Sequence, residues 1–572
     1  MHPVSKQELQ KVLGWSVAVM LATCLPYFLV WWYTPLQSVF PWTLFNSDDH
    51  GVYFAWMRQA ADGHLLFRNL FTAEPQRGIY LQSYFLLLGQ LARLPGVDVP
   101  LAYQIGRLIF GVTTLLLVYR LGAFFTSDRF TRGCIFWTTA CSAGLGWIFW
   151  HDHMIQRGPV DVWQPEAITF ASLYSNGLFA VALSLLLGVV ICLLIAEQQG
   201  PRWAVSAGIC GLLLGNIHSY DVIHLTAVWC SYLLAKWIVA RRFPAREVGY
   251  GLITALVAAP SVGYMAWLYA TEPVFKARAD TATLSPELAG YLFGYGLLLP
   301  LAAAGAWILC RSSKETAGEA QPSLRWLLPI VWAVIGIPLS YAAIPHLADG
   351  GLDWQPVAFQ RKLIMGYHLP LALLSGLAIA ALARSLAVRG GTQRTRVLIA
   401  ALAVTLLSIS NLRYLVRDIK LARTENLTST GAHHAYWPES DLRAFEWLRT
   451  HTASNATLLT WPMNGVFAPA YSGRKVYAGH WGETPGYEDR LKEEFAFYWG
   501  LWSSEERLRF LRQYNITHVV DSPIEREWVA AWGQKVNRPQ RPLTAEAYLQ
   551  PVFNEQGTTV YEVRPRSSTT PD

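Results

Sequence analysis

The sequence predicts an α-helical polytopic membrane protein of about eleven transmembrane helices, followed by a small C-terminal α/β extracytoplasmic domain. Three observations predict it. Of 572 residues, 53% are hydrophobic and only 15% charged, where a soluble domain carries about 25% charge. Apolar segments near the ~20 residues needed to cross a bilayer recur through the first 412 positions. From residue 413 the pattern changes to short alternating helical and strand-like runs.

The apolar segments fall at 12–33, 104–124, 133–150, 177–197, 203–220, 222–240, 248–270, 289–311, 326–344, 365–388 and 397–412. The first is too long for a secretory h-region and lacks a small-residue cleavage site, so it is expected to remain as a span. Basic residues orient the set. With Lys6 and Lys11 in the cytoplasm, alternate connections carry Arg129 and Arg132, Arg202, Arg241 with Arg242 and Arg246, Arg311 with Lys314 and Arg325, and Arg389 with Arg394 and Arg396. This alternation requires 79–94 to lie at the outer interface without crossing. The first outer loop is then 34–103, and an odd number of spans leaves 413–572 outside. The predicted domains are 1–412 and 413–572, in a multi-pass protein of a bacterial inner or plasma membrane.

The tail reads helix (E-S-D-L-R-A-F-E-W-L-R), strand (A-T-L-L-T-W), then A-Y-S-G-R-K-V-Y-A-G-H-W. Next come helix (E-R-L-R-F-L-R-Q-Y), strand (N-I-T-H-V-V-D) and two final strands across a Gly turn. It has no G-x-G-x-x-G and no P-loop, so nothing there supports nucleotide binding. The net charge of +7 is dispersed in small clusters between apolar runs, which argues against nucleic-acid binding. Seven cysteines lie in or beside apolar runs with no C-x-x-C; they read as small buried hydrophobes.

Charge is scarce, so its position is informative. The outer-side segments hold most acids and histidines. F-N-S-D-D-H-G-V-Y-F-A-W-M follows the first span and carries Asp48 and Asp49. One reading is helix capping, since Ser or Asp accepts backbone N–H bonds at an N-cap. The other makes one carboxylate a general base and its neighbour a metal ligand or hydrogen-bond acceptor. The two are compatible. In 151–176, His151 and Asp161 are candidate metal ligands with Asp49, and Arg157 a candidate for donor phosphate; adjacent H-D-H residues do not naturally converge on one ion. Arg361 and Lys362 stand at an outer end, against the positive-inside trend. An anion there would explain them, Arg binding phosphate bidentately and Lys adding a point charge; interfacial snorkelling is the alternative. His218 and Asp221, in G-N-I-H-S-Y-D, are either a further part of that site or a satisfied buried pair. All these groups are expected to face one outer cavity.

D-D-H-G-V-Y-F-A-W-M, then G-I-Y-L-Q-S-Y-F-L-L-L-G and Y-Q-I-G-R-L-I-F-G, in an order of one span, an acidic outer loop, many spans and an outer α/β tail, resemble the GT-C membrane glycosyltransferases. The nearest branch is that of protein O-mannosyltransferases and the aminoarabinose transferase. The resemblance implies a sugar donor on a polyprenyl phosphate, transfer on the outer membrane face, and Asp48 or Asp49 as base. Members often have an Asp-Glu pair where this chain has D-D, and a Lys-Pro-Pro-like stretch where it has E-P-Q-R-G. The cofactor these oxygens would take is Mg²⁺ or Mn²⁺. The partners implied are the lipid-linked donor, membrane lipid and an acceptor the sequence does not identify. Two other classes compete: a transporter or flippase of a lipid-linked or polar substrate, and a non-catalytic membrane assembly protein. Few mid-span charges and no internal repeat weigh against transport.

Overall fold

A computed structural model describes residues 2–80, 82–149, 158–315, 324–348, 351–387, 392–424 and 435–564. Every one of the eleven apolar segments contributes helix, though not every one a single long helix. Among the described residues six helices are long and apolar enough to cross a bilayer: Lys6–Trp32, Val99–Gly122, Gly177–Gln199, Tyr220–Ala240, Ala245–Thr271 and the combined Gln360–Ala387. Two further segments are bent pairs. Leu288–Tyr295 and Leu298–Ser312 meet at 68°, and Gln393–Leu407 and Ile409–Lys420 at 50°; counting each as one span gives eight. Gly296 sits at the first break with φ +46°, a conformation open to glycine. Arg202–Ile217 and Leu324–Leu339 are apolar but shorter.

The expected span 133–150 ends early. Its helix runs from Arg129 to Cys141, and a short turn follows at Gly146–Phe149. The break leaves backbone donors without helical partners. Asp161 satisfies two of them: its Oδ2 accepts from Gly144 N and Gly146 N, both at 3.0 Å. Segment 79–94 contains only the nine-residue helix Ser83–Leu91, about 14 Å long and far short of a bilayer core.

The chain divides into two compact units. One comprises Met1–Leu25, Gln104–Trp267 and Ala282–Arg417; the other comprises Pro26–Tyr103, Leu268–Thr281 and Asp418–Asp572. In the first, helices pack through small residues, as membrane helices do where apolar burial gives no drive. A Cβ on Gly305 would collide with the Leu374 carbonyl, and one on Gly376 would lie 2.6 Å from Ile135 Cα.

The second unit holds a five-stranded mixed sheet. Its order is Lys475–Val476, Thr457–Leu459, His518–Asp521, Thr558–Val563 and Leu549–Glu555. The first three strands are parallel, and the last two pair antiparallel. Gln556 and Gly557, at φ 45° and 88°, make the tight hairpin turn. Helices Ser504–Gln513 and Pro523–Gly533 each begin with a Ser-x-x-Glu capping box. Leu459, Trp461, Tyr477, Phe497, Val519 and Tyr561 build the core beneath them. The same unit includes helix Ser47–Ala61, which packs on helix Pro462–Ser472.

Candidate functional site

Helix Ser47–Ala61 starts five residues before the apolar run that suggested it. Asn46 takes the cap position in a left-handed conformation, φ 51°, without a side-chain cap bond. Asp48 and Asp49 therefore lie inside the first turn and not at the cap. There the N-terminal end of the helix dipole favours their charge. His50, the third polar residue of the motif, turns inward; its ring stands edge-on to Tyr103 at 5.0 Å and it is buried.

What faces the acids comes from the distant stretch A-G-H-W. His480 Nε2 is 3.3 Å from Asp49 Oδ1 and 3.8 Å from Asp48 Oδ2. Trp481 Nε1 donates to Asp48 Oδ2 at 3.1 Å. The imidazole is nearly inaccessible, whereas the carboxylates are 30% and 36% exposed, so the acids are the reachable part. Gly482 N donates to His480 Nδ1 at 3.0 Å. That keeps the ring proton on Nε2, the atom aimed at the acids. Burial alone would lower the imidazole pKa; the neighbouring Asp49, Asp48 and Glu483 carboxylates outweigh it and hold it above the ordinary value.

The loop carrying His480 is braced. Gly479 N donates to Thr484 Oγ1, which donates to Phe71 O. Glu483 Oε1 pairs with Arg278 Nε at 2.7 Å, and Asn69 Nδ2 donates to the Glu483 carbonyl at 2.7 Å. Arg278 in turn lies over the Trp56 ring, 5.0 Å from its centroid, on the acid-bearing helix.

The donor-phosphate candidates lie in the other unit, where Lys362, His218 and Asp221 gather around Tyr220 and Arg361 is the chain neighbour of Lys362. Lys362 Nζ stands 4.6 Å over the Tyr220 ring. Tyr220 meets His218 edge-on at 5.8 Å, and His218 Nδ1 is 2.9 Å from Asp221 Oδ1. Arg361 Nε pairs with Glu166 Oε1 at 3.1 Å and lies over Trp163. Asp221 is fully buried and His218 lies beside it. Asp161 accepts the Gly144 and Gly146 amides through Oδ2. His151 and Arg157 lie outside the described residues.

Among the described residues no group of three or more His, Cys, Asp or Glu could hold an ion. His480 is a poor ligand, since its Nε2 carries the proton. Asp48 and Asp49 nonetheless fit a hard cation such as Mg²⁺ or Mn²⁺, which binds through one or two carboxylates and keeps much of its water.

No family model matches this chain, and no curated protein matches it by sequence. Solved structures do. The oligosaccharyltransferase of Archaeoglobus fulgidus in the apo form aligns at TM-score 0.52 and 14% identity, over 97% of this chain and 75% of that one. ArnT from Cupriavidus metallidurans in the apo state aligns at 0.50 and 12%, over 96% and 97%. The arabinofuranosyltransferase AftD from Mycobacteria aligns at 0.50 and 14%, over 96% of this chain and 40% of that one. This chain has the GT-C fold. With its six apolar helices, the GT-C fold makes it a multi-pass membrane protein.

Within this GT-C fold, a glycine sets the position of the acid pair. A Cβ on Gly51 would lie 2.5 Å from the Val466 carbonyl oxygen and collide with the Val466 side chain. Gly51→Ala gains up to about 1 kcal/mol of helix propensity but forces two helices apart, at about 1–3 kcal/mol. The expected result is a lower thermal midpoint, because the helix carrying Asp48 and Asp49 must shift from helix Pro462–Ser472. An unchanged midpoint in calorimetry would show that Val466 yields freely.

Proposed function

We propose that this protein transfers a sugar from a polyprenyl-phosphate-linked donor to an acceptor on the outer face of a bacterial inner or plasma membrane. The observation that carries the reading is the partly exposed Asp48–Asp49 pair, braced from behind by His480 and Trp481. The GT-C fold supports it. In the reaction a carboxylate of the pair takes the proton of an acceptor hydroxyl as its oxygen attacks the anomeric carbon. The bond from that carbon to the phosphate oxygen breaks, and the lipid phosphate leaves with the electron pair. His480, holding its proton toward Asp49, keeps the pair anionic and oriented. In the other unit, Arg361, which pairs with Glu166, and Lys362 are the candidates for the lipid phosphate. A bound Mg²⁺ or Mn²⁺, held by Asp48 and Asp49, would supply additional positive charge to the reacting oxygens. About eleven membrane passages, with 413–572 outside, complete the proposed topology.

The test is transfer in vitro from a panel of radiolabelled polyprenyl-phosphate sugars by the purified full chain. Asp48→Asn and Asp49→Asn serve as the decisive variants. Absence of transfer from the whole panel, with acceptor extracts supplied, would sink the reading. A second arm addresses the phosphate. Each charge-assisted hydrogen bond contributes about 1.5–3 kcal/mol, so Arg361→Ala or Lys362→Ala should raise the donor KM about 10- to 100-fold. A fall in kcat at constant KM would instead place these cations away from donor binding.

A further inference from the structure

The helix that begins with the acid pair also borders a cavity farther along. The cavity measures about 170 Å³, and its walls include Phe40, Trp42, Phe54, Arg58, Asp98 and Tyr471. At ~30 Å³ per water it has room for about five or six waters, which is the scale of one sugar ring. It is smaller than the ~300–1,000 Å³ pockets that take drug-sized ligands.

The lining restricts the ligand. Arg58 is tied through Nε to the Ala470 carbonyl at 3.1 Å. Its nearest carboxylate, Asp62, is 4.0 Å away and pairs more closely with Arg449, at 2.9 Å. Asp98 uses Oδ1 to accept from Leu101 N at 2.8 Å. Burial and the Asp98 charge push the Tyr471 phenol up, so it stays a hydrogen-bond donor. A guanidinium and a carboxylate on one small cavity disfavour a strongly charged ligand of either sign, and a wholly apolar ligand would dehydrate both. The aromatic walls want an apolar face. A neutral sugar has both characters: C–H groups on the faces of its ring and hydroxyls around the edge.

The backbone at the site is held in an uncommon state. Trp42 has φ +61°, a left-handed conformation that costs a bulky residue about 1–3 kcal/mol and clusters at ligand clamps. Its indole stacks on Trp31 at 6.3 Å with 20° between planes and leans on Phe40 at 5.5 Å. The aromatic wall is thus built before any ligand arrives.

We propose that this cavity is a carbohydrate subsite holding one neutral monosaccharide unit of the acceptor. Asp48 and Arg58 are ten residues apart on one helix, about 15 Å along its axis. A unit in the cavity would therefore sit a few linked sugars from the acids. The acceptor assignment rests on the transferase reading; the sugar assignment rests on the cavity alone.

The test is saturation-transfer NMR with the full chain in a detergent that carries no sugar. The probes are methyl α-D-mannopyranoside, methyl β-D-galactopyranoside and methyl β-D-glucopyranoside. At least one should bind with Kd about 1–10 mM. Trp42→Gly removes the ring while keeping a residue at ease at positive φ; it should weaken binding about tenfold or more. Tyr471→Phe, which deletes only a hydroxyl, should weaken it less. Asp48→Asn should bind the probe as the unmodified chain does, which separates this proposal from the transfer chemistry. No binding of any probe, or binding unmoved by both Trp42→Gly and Tyr471→Phe, overturns it.

Discussion

Asp48→Asn and Asp49→Asn should each cut transfer sharply, by about 10²- to 10⁴-fold in kcat for the residue that takes the proton, the range a positioned general base contributes. The partner substitution should cost at least about tenfold, because both carboxylates lie beside His480 and Asp48 also accepts from Trp481. Asn is isosteric, and loss of a negative charge in a first helical turn costs only about 0.3–1 kcal/mol. The variants should therefore fold, and their thermal midpoints should stay near that of the parent. His480→Gln should leave both acids in place yet shift the acid limb of the pH–rate profile, since the group that keeps them anionic is gone. If either Asn variant retains full transfer, that acid is not needed for the reaction; if both do, the pair is not the reactive centre.

A second large effect concerns pH and the sheet-bearing unit. Asn464 Nδ2 reaches four oxygens: Asp441 Oδ2, Ser522 Oγ and both oxygens of Glu525, at 2.9–3.0 Å. An amide nitrogen has only two N–H bonds, so acceptors outnumber donors. Thr558 donates to Asp441, and Thr460 and Ser522 also bond Glu525. Both acids are buried, and Glu494, buried as well, faces Glu525 with Arg490 as the opposing charge. Burial, then the Asp441 charge, pushes the Glu525 carboxyl up to about 7, and burial raises Asp441 in the same direction against the Arg526 charge. The folded state holds a proton that the unfolded chain releases near the ordinary carboxylate value. This contribution is complete below about pH 4.5 and is lost as pH rises through 7, at about 1.4 kcal/mol per unit, on the order of 3 kcal/mol in all. The unfolding midpoint by calorimetry should fall between pH 5 and pH 8, and Glu525→Gln should remove most of that slope. An equal slope in the variant would assign the pH dependence elsewhere.

The buried network also shows why the tail was only half legible. Its alternating helices and strands follow from local pattern: Ser-x-x-Glu boxes, apolar alternation and the Gln556–Gly557 turn all act within a few residues. Convergence of Asp441, Asn464 and Glu525 depends on sheet order, which brings residues about twenty to over eighty positions apart onto one point and leaves no periodic trace. The same contrast holds in the apolar segments. Composition marks all eleven as helical, because a chain that cannot bond to water must bond within itself. The breaks at 142–146, 296 and 408 depend on neighbours, such as the Asp161 carboxylate that accepts the freed amides.

The sequence by itself determined the membrane class, the helical segments and the α/β character of the tail, and it singled out Asp48 and Asp49 as candidates. Hydropathy, turn chemistry and the scarcity of charge are local properties. Only the tertiary structure decided that His480 and Trp481 face those acids, that His50 does not, and that Arg361 is matched by Glu166. Each is a contact between residues about two to over four hundred positions apart, fixed by packing. Side-chain partners across such separations are chosen by shape and by the need to satisfy buried polar groups, neither of which a linear string displays.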